Sequence, residues 1–241
     1  HRGERDAGAR LDQRGDPMSF FGQGVMATTG SRLTLPTTNL LAAYDARVGV
    51  TDVSGACSAW ADQSGNGFHA TQGTAGNRPM ISTADGFPSL LFDGTNDRLI
   101  TPAITATTGV KTIYAVTKLT SLPGSYVSVF GLASTIIGTA VDGKYGMYEA
   151  GSFSSGIAPT TSRTRLEYEI LYAASTGRTR VNGTAGPSHA WSASGAIAAG
   201  HIGTALGGAS YWWPGHILFL GIYGAARNTS VVDYITQEWG V

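Results

Sequence analysis

The apolar positions of this chain fall into distinct rhythms. In Leu166-Glu167-Tyr168-Glu169-Ile170-Leu171-Tyr172, apolar side chains at 166, 168, 170 and 172 alternate with acidic ones. A period of two predicts a half-buried strand, with Glu167 and Glu169 turned to solvent. His216-Ile217-Leu218-Phe219-Leu220-Gly221-Ile222-Tyr223 is apolar almost throughout and predicts a central strand buried on both faces. Farther on, Val231, Ile235 and Trp239 recur every fourth residue. Asn228-Thr229-Ser230 supplies a polar cap ahead of them and Gly240 a stop, so a short helix is predicted over 231–239.

Further strands are predicted at 112–119, 126–132, 144–149, 166–173, 179–182 and 201–203. Turn pairs punctuate them: Asn66-Gly67, Asp85-Gly86, Asp93-Gly94, Asp142-Gly143 and Asn182-Gly183. Each pair tolerates positive φ, which tight turns between strands require. From residue 38 onward the chain therefore reads as one all-β domain with a short C-terminal helix. Trp60, Leu91, Phe92, Ile170, Leu218, Leu220 and Trp239 are its expected core, in one continuous cluster.

Residues 1–37 break from this pattern. The first 17 carry Arg2, Arg5, Arg10, Arg14, Glu4, Asp6, Asp12 and Asp16, with Leu11 as the one sizeable apolar side chain. Such a segment cannot offset its own ordering entropy. The next residues include Phe20, Phe21, Val25, Met26, Leu33 and Leu35. Residues 1–37 are read as an extended N-terminal arm that docks or assembles, with Phe20, Phe21, Arg10 and Arg14 as its contacts.

Composition removes several function classes. Lys and Arg number 16 against 16 Asp and Glu, so nothing electrostatic favours nucleic acid or an anionic membrane. The 34 glycines suit many short turns. Cys57 is alone, which rules out an internal disulfide and reads as a small buried residue. No apolar run approaches a membrane span and no signal-peptide core leads the chain, so a soluble protein is expected.

A resemblance adds to this. Trp60, Asp62, Ser64, Gly65, Asn66, Gly67, His69 and Ala70 form a Trp-x-Asp-x-Ser-Gly-Asn-Gly-x-His-Ala motif. Pro88, Leu90, Phe92, Asp93, Gly94 and Asp97 follow as Pro-x-Leu-x-Phe-Asp-Gly-x-x-Asp, and Arg180-Val181-Asn182-Gly183 and His201-Ile202-Gly203 come later. In this order they resemble laminin-G-like, concanavalin A-like sandwich domains. The resemblance implies an antiparallel two-sheet jelly-roll sandwich over 38–241. It also implies a setting, since such domains recur in structural proteins of tailed bacteriophages. The fold hosts lectins, glycosidases and adhesins alike, so it does not fix function.

The candidate chemistry is sparse. Glu167 and Glu169 lie about 6–7 Å apart on one strand face, near the separation retaining glycosidases use. A third carboxylate is lacking from the segment, and solvent-facing glutamates explain the pair. The five histidines show no metal spacing. Asp93, Asn96 and Asp97 in one loop, and Asp62 in another, are oxygen ligands of the type calcium takes, although turn formation explains them too; no other cofactor is implied. Tyr211, Trp212 and Trp213 sit in a glycine-rich loop before the last strand and are candidates for stacking on a sugar ring. One of the two tryptophans is expected in the core.

The reading favoured is a non-enzymatic virion surface protein, as a capsid decoration, head fibre or tail-fibre part. Its partners would be other virion proteins such as the major capsid protein or tail components, further copies of itself, and host-surface glycans. The alternative is a glycan-binding module of a bacterial surface protein. A glycosidase ranks third.

Overall fold

The computed structural model describes residues 33–104, 110–131, 136–148, 152–171, 176–190, 199–205 and 210–241. Leu33–Val241 form one compact unit. Phe20, Phe21, Arg10 and Arg14 lie outside the described residues. Leu35 packs against the domain and the Pro36 carbonyl accepts the Tyr223 hydroxyl at 2.8 Å, so residues 33–37 belong to this unit.

In chain order the strands are β1 (Leu40–Asp45), β2 (Val50–Val53), β3 (Ala56–Trp60), β4 (Ala70–Thr71), β5 (Met80–Ala84), β6 (Phe87–Asp93), β7 (Leu99–Ala103), β8 (Lys111–Leu119) and β9 (Ser128–Gly131). They continue as β10 (Ile136–Thr139), β11 (Tyr145–Tyr148), β12 (Ser152–Ser154), β13 (Thr164–Leu171), β14 (Thr176–Val181), β15 (Thr184–Ala190), β16 (Ala199–Ile202) and β17 (Pro214–Tyr223), followed by helix α1 (Thr229–Trp239). The predicted strands fall within these spans or within two residues of them.

Strand β17 is the hub. Along its first half it lies between β6 and β8, and along its second half between β1 and β8. From β8 the order runs outward through β13, β14 and β15. A second run goes β2–β3–β4–β7–β16–β9–β10–β11–β12. All pairings among the described strands are antiparallel. The expectation of two separate sheets is modified here. β5, paired with β6, also meets β3 at Ala56↔Met80, so both runs join one network that nearly closes into a barrel. Register shifts in β1, β14, β16 and β17 mark bulges, which sharpen twist and let strands bend from one wall to the next.

One core was expected and two are found. The inner cluster holds Trp60, Leu90, Phe92, Leu166, Tyr168, Ile170, Ile217 and Leu220. The outer cluster holds Leu218, Phe219, Tyr114 and Val116 with Val231, Ile235 and Trp239 of α1. Leu91 is only half-buried. The bulge between Ile217 and Phe219 turns the adjacent Leu218 and Phe219 to the same outer side, where α1 covers them. Burial of β17 on both faces is thus achieved by the barrel interior on one side and the helix on the other.

Helix α1 has the predicted ends. Asn228 Oδ1 accepts the Ser230 N–H at 2.9 Å, and Gly240, at φ 67°, returns its N–H to the Thr236 carbonyl. Arginines hold the C-terminal turn. Arg163 Nε donates to the Trp239 carbonyl at 2.8 Å, and Arg165 Nη1 donates to Thr236 Oγ1 at 2.7 Å and to the Val241 carbonyl. Arg47 pairs with Glu238 and stands 4.2 Å over the Trp239 ring.

The expectation that Glu167 and Glu169 face solvent is corrected here. Glu167 is 0% exposed and Glu169 9%. Glu167 accepts Arg165 Nε at 2.9 Å and Arg227 Nε at 2.5 Å, while Glu169 accepts Arg180 Nη1 at 2.8 Å. The alternating pattern was read correctly as a strand, but its acidic face is closed and neutralised by the guanidinium groups of Arg165, Arg180 and Arg227, the last from the segment before α1.

The Trp60–Ala70 motif serves the fold. Asp62 Oδ1 accepts the N–H groups of Ala43 and Ser64 at 2.9 Å, and Oδ2 accepts that of Phe68 at 3.0 Å. His69 Nδ1 accepts the Asp62 N–H, and Asn66 Nδ2 donates to the Leu41 carbonyl. The positive φ values fall at Gly65 (87°) and Gly67 (78°), not at Asn66, so this is a side-chain-braced loop rather than a two-residue hairpin turn. It ties the β3–β4 connection to β1.

Leu218 is fully buried in the outer cluster. Leu218→Ala should cost about 2–5 kcal/mol in urea unfolding, as for a well-packed leucine. A loss below about 0.5 kcal/mol would contradict the packing of α1 on β17.

Candidate functional site

The segment entering β17 has a fixed backbone and outward aromatic groups. The Tyr211 carbonyl accepts the Ser128 N–H at 2.8 Å, the Trp213 N–H donates to the Gly203 carbonyl at 2.8 Å, and Pro214 opposes Asp93. Tyr211 holds φ at 63°, in the left-handed region where a bulky side chain costs of order 1–2 kcal/mol. Gly203 is required alongside, because a Cβ there would lie 2.2 Å from the Phe92 ring.

The three aromatic candidates separate in this geometry. Trp213 is 0% exposed and belongs to the inner core, so it offers no face to a ligand. It is the core tryptophan of the pair. Trp212 and Tyr211 are half-exposed. Tyr211 meets Tyr126 edge-on at 5.3 Å, and Tyr126 meets Tyr148 edge-on at 5.5 Å, both partners also half-exposed. Trp212 lies 5.6 Å from the Arg98 guanidinium. The structure thus joins Tyr126, Tyr148 and Arg98 to the predicted loop. Sequence reading missed all three, because the first two lie in or beside other strands and Arg98 follows an acidic loop.

Behind this rim, His201 opposes Ile100 across β16 and β7. Burial, then the charge of Arg98, lowers its pKa from the ordinary imidazole value. Its Nδ1 is buried with no hydrogen-bond partner among the described residues.

The calcium candidates do not converge. Asp62 is occupied by the loop bonds described above. Asp93 Oδ1 accepts the N–H groups of Thr95, Asn96 and Asp97, and Asp97 Oδ2 accepts the Asp93 N–H at 3.0 Å. Among the described residues, no group of three or more His, Cys, Asp or Glu could hold a metal ion. Burial, reinforced by the neighbouring Asp93, raises the Asp97 pKa to about 6.

Other reactive pairs are closed. Glu167 and Glu169 are engaged with arginines, as above. Burial pushes the Cys57 thiol up to about 12, which leaves it protonated and inert. Ser89 Oγ lies 3.0 Å from His216 Nδ1, but Ser89 is 1% exposed. No helix among the described residues is long and apolar enough to cross a membrane.

No protein-family model matches the chain, and no curated protein matches it. Solved structures do. A sialidase from Trypanosoma rangeli in complex with sialic acid aligns at TM-score 0.60 and 13% identity, over 86% of this chain and 34% of that one. Domain 4 of a GH43 extracellular arabinanase from Geobacillus stearothermophilus, in complex with arabinotriose, aligns at TM-score 0.58 and 17% identity, over 83% and 99%. The ligand binding domain of botulinum neurotoxin serotype D, in complex with N-acetylneuraminic acid, aligns at 0.54 and 10%, over 83% and 51%. The chain spans about a third of the sialidase and all but 1% of the arabinanase domain.

At these identities the likeness is one of fold: a β-sandwich or β-barrel architecture that carbohydrate-binding and glycosidase chains also use. It corrects the expectation that the chain is not an enzyme. Chains of named glycosidases share this fold over 83–92% of its length, so the architecture is one that enzymes also carry.

The raised Asp97 pKa makes a stability prediction. A carboxyl whose folded pKa exceeds its ordinary 3.8 stabilises the fold fully below that value, and the contribution is lost as pH rises through about 6. Asp97→Asn removes the charge while keeping an oxygen for the Asp93 N–H. It should melt higher than the unmodified protein at pH 8, with the gap closing by pH 4. An equal gap at both pH values would contradict the buried, charge-strained carboxyl.

Proposed function

We propose that this chain is a carbohydrate-binding module whose glycan contact is the rim of Tyr211 and Trp212. In this reading the two strand runs are the layers of a lectin-type jelly-roll sandwich, and the rim lies at the entry to its central strand. The carrying observation is the pair of half-exposed aromatics on a backbone fixed by hydrogen bonds, with Tyr211 kept at an unfavourable φ. An aromatic side chain presents an apolar face and a polar edge, which suits the C–H face and hydroxyl rim of a sugar ring. A rigid mount lowers the ordering cost of binding. The neighbours' bound sialic acid, arabinotriose and N-acetylneuraminic acid support glycans as the ligand class.

A bacterial-surface or virion setting is compatible with such a module and rests on the sequence resemblance, and an assembly role for the N-terminal segment ahead of residue 33 rests on its composition.

The test is calorimetric titration with a panel of neutral and acidic oligosaccharides, with chromatography of the same samples because glycosidases share the fold. Trp212→Ala should weaken the best ligand at least about tenfold, or ~1.4 kcal/mol. Absence of binding across the panel, or a Trp212→Ala variant that binds undiminished, would overturn the reading.

A further inference from the structure

The chemistry beside Trp212 narrows the ligand class, on the premise that the rim binds glycans. Eight arginines are described, and seven are engaged by protein partners. Arg47, Arg165, Arg180 and Arg227 pair with carboxylates. Arg163 reaches the Trp239 carbonyl and Arg78 the Gln72 carbonyl, while Arg178 bonds Ser188 Oγ. Arg98 is the exception among the described residues: its guanidinium donates no hydrogen bond and joins no ion pair, and its contact is the Trp212 ring.

That guanidinium is nevertheless on a fixed mount. The Arg98 N–H donates to the Asn77 carbonyl at 3.0 Å, and its own carbonyl accepts Gln72 Nε2 at 3.0 Å. Gln72 is 5% exposed and fixed in turn, since its Oε1 accepts the Thr74 N–H. No ion pair neutralises Arg98 among the described residues, and the carboxylates that precede it in sequence are engaged elsewhere. Asp93 Oδ1 and Asp97 Oδ2 turn into their own loop and accept its N–H groups. Behind it stands His201, whose buried Nδ1 has no partner among the described residues. A planar cation with open donors, 5.6 Å over a half-exposed indole, matches a carboxylate carried on a ring.

We propose that Arg98 reads the carboxylate of an acidic sugar while Trp212 takes the face of the same or the adjacent ring. The ligand class is then a glycan containing a uronic or sialic acid residue. The bond is a charge-assisted fork from the guanidinium to both carboxylate oxygens. Lysine in its place keeps the charge and loses the fork.

The experiment compares oligogalacturonate with its methyl ester, and sialyllactose with lactose, so each pair differs by a free carboxylate or by the acidic residue that carries it. In the unmodified protein at least one acidic member should bind tenfold or more tighter than its neutral partner. Arg98→Gln should collapse that ratio to near one, and Arg98→Lys should leave it intermediate. Melting temperatures should stay within a degree or two, since no protein group loses a hydrogen bond. Binding of neutral and acidic members alike, or a ratio unchanged in Arg98→Gln, would overturn this inference and leave the glycan-binding reading standing. If no member of either pair binds, while the broader panel also shows nothing, both fall together.

Discussion

A carboxylate with no access to water must be paired, and Glu167, fully buried on strand β13, is under that constraint. An unpaired buried charge would cost several kcal/mol, so Arg165 and Arg227 close on it from its own strand and from the segment before the helix. Arg165 also reaches Thr236 and the Val241 carbonyl, which brings the last turn of α1 onto the same lattice. The helix in turn lays Val231, Ile235 and Trp239 over Leu218 and Phe219. Charge pairing and apolar burial thus act on the same face. Such a lattice fixes where the helix lies more than it adds to stability.

The rim inherits its rigidity from that arrangement. β17 is flanked by β1, β6 and β8 and covered on both faces, so its entry at Pro214 cannot wander. The residues before it alternate in role. Trp213 enters the inner core, Trp212 stays outside against Arg98, and Tyr211 takes a strained φ while leaning on Tyr126. The inner tryptophan anchors the segment that displays the outer one. Structure and recognition therefore share one short stretch, which is the arrangement expected where binding needs a preformed surface.

Much of the fold was legible because its signals are local. The period-two run at 166–172, the continuous apolar run at 216–223 and the capped repeat at 231–239 each depend on neighbours in sequence, and each gave the right element. What depended on distant partners was not legible. Glu167 and Glu169 looked solvent-facing: Arg165 is a neighbour on the same strand, but nothing local reveals that Arg180 and Arg227 will close on them as well. The bulge in β17 divided one expected core into two. Within the site, the tryptophan pair was visible, but which of the two lies inside depends on packing against distant core residues. Arg98 carried no signal, because its interest lies in the partners it lacks.

The account's central claim is that ligand contacts the outer face of residues 211–212 and leaves the inner face untouched. Indole N–H resonances in a nitrogen-15 spectrum read this directly, with Trp60, Trp213 and Trp239 buried and Trp212 half-exposed. On titration with an acidic oligosaccharide, the Trp212 indole signal should shift progressively and saturably while those of Trp60, Trp213 and Trp239 hold. A saturable shift confined to other residues, with the Trp212 signal unmoved, would contradict the account.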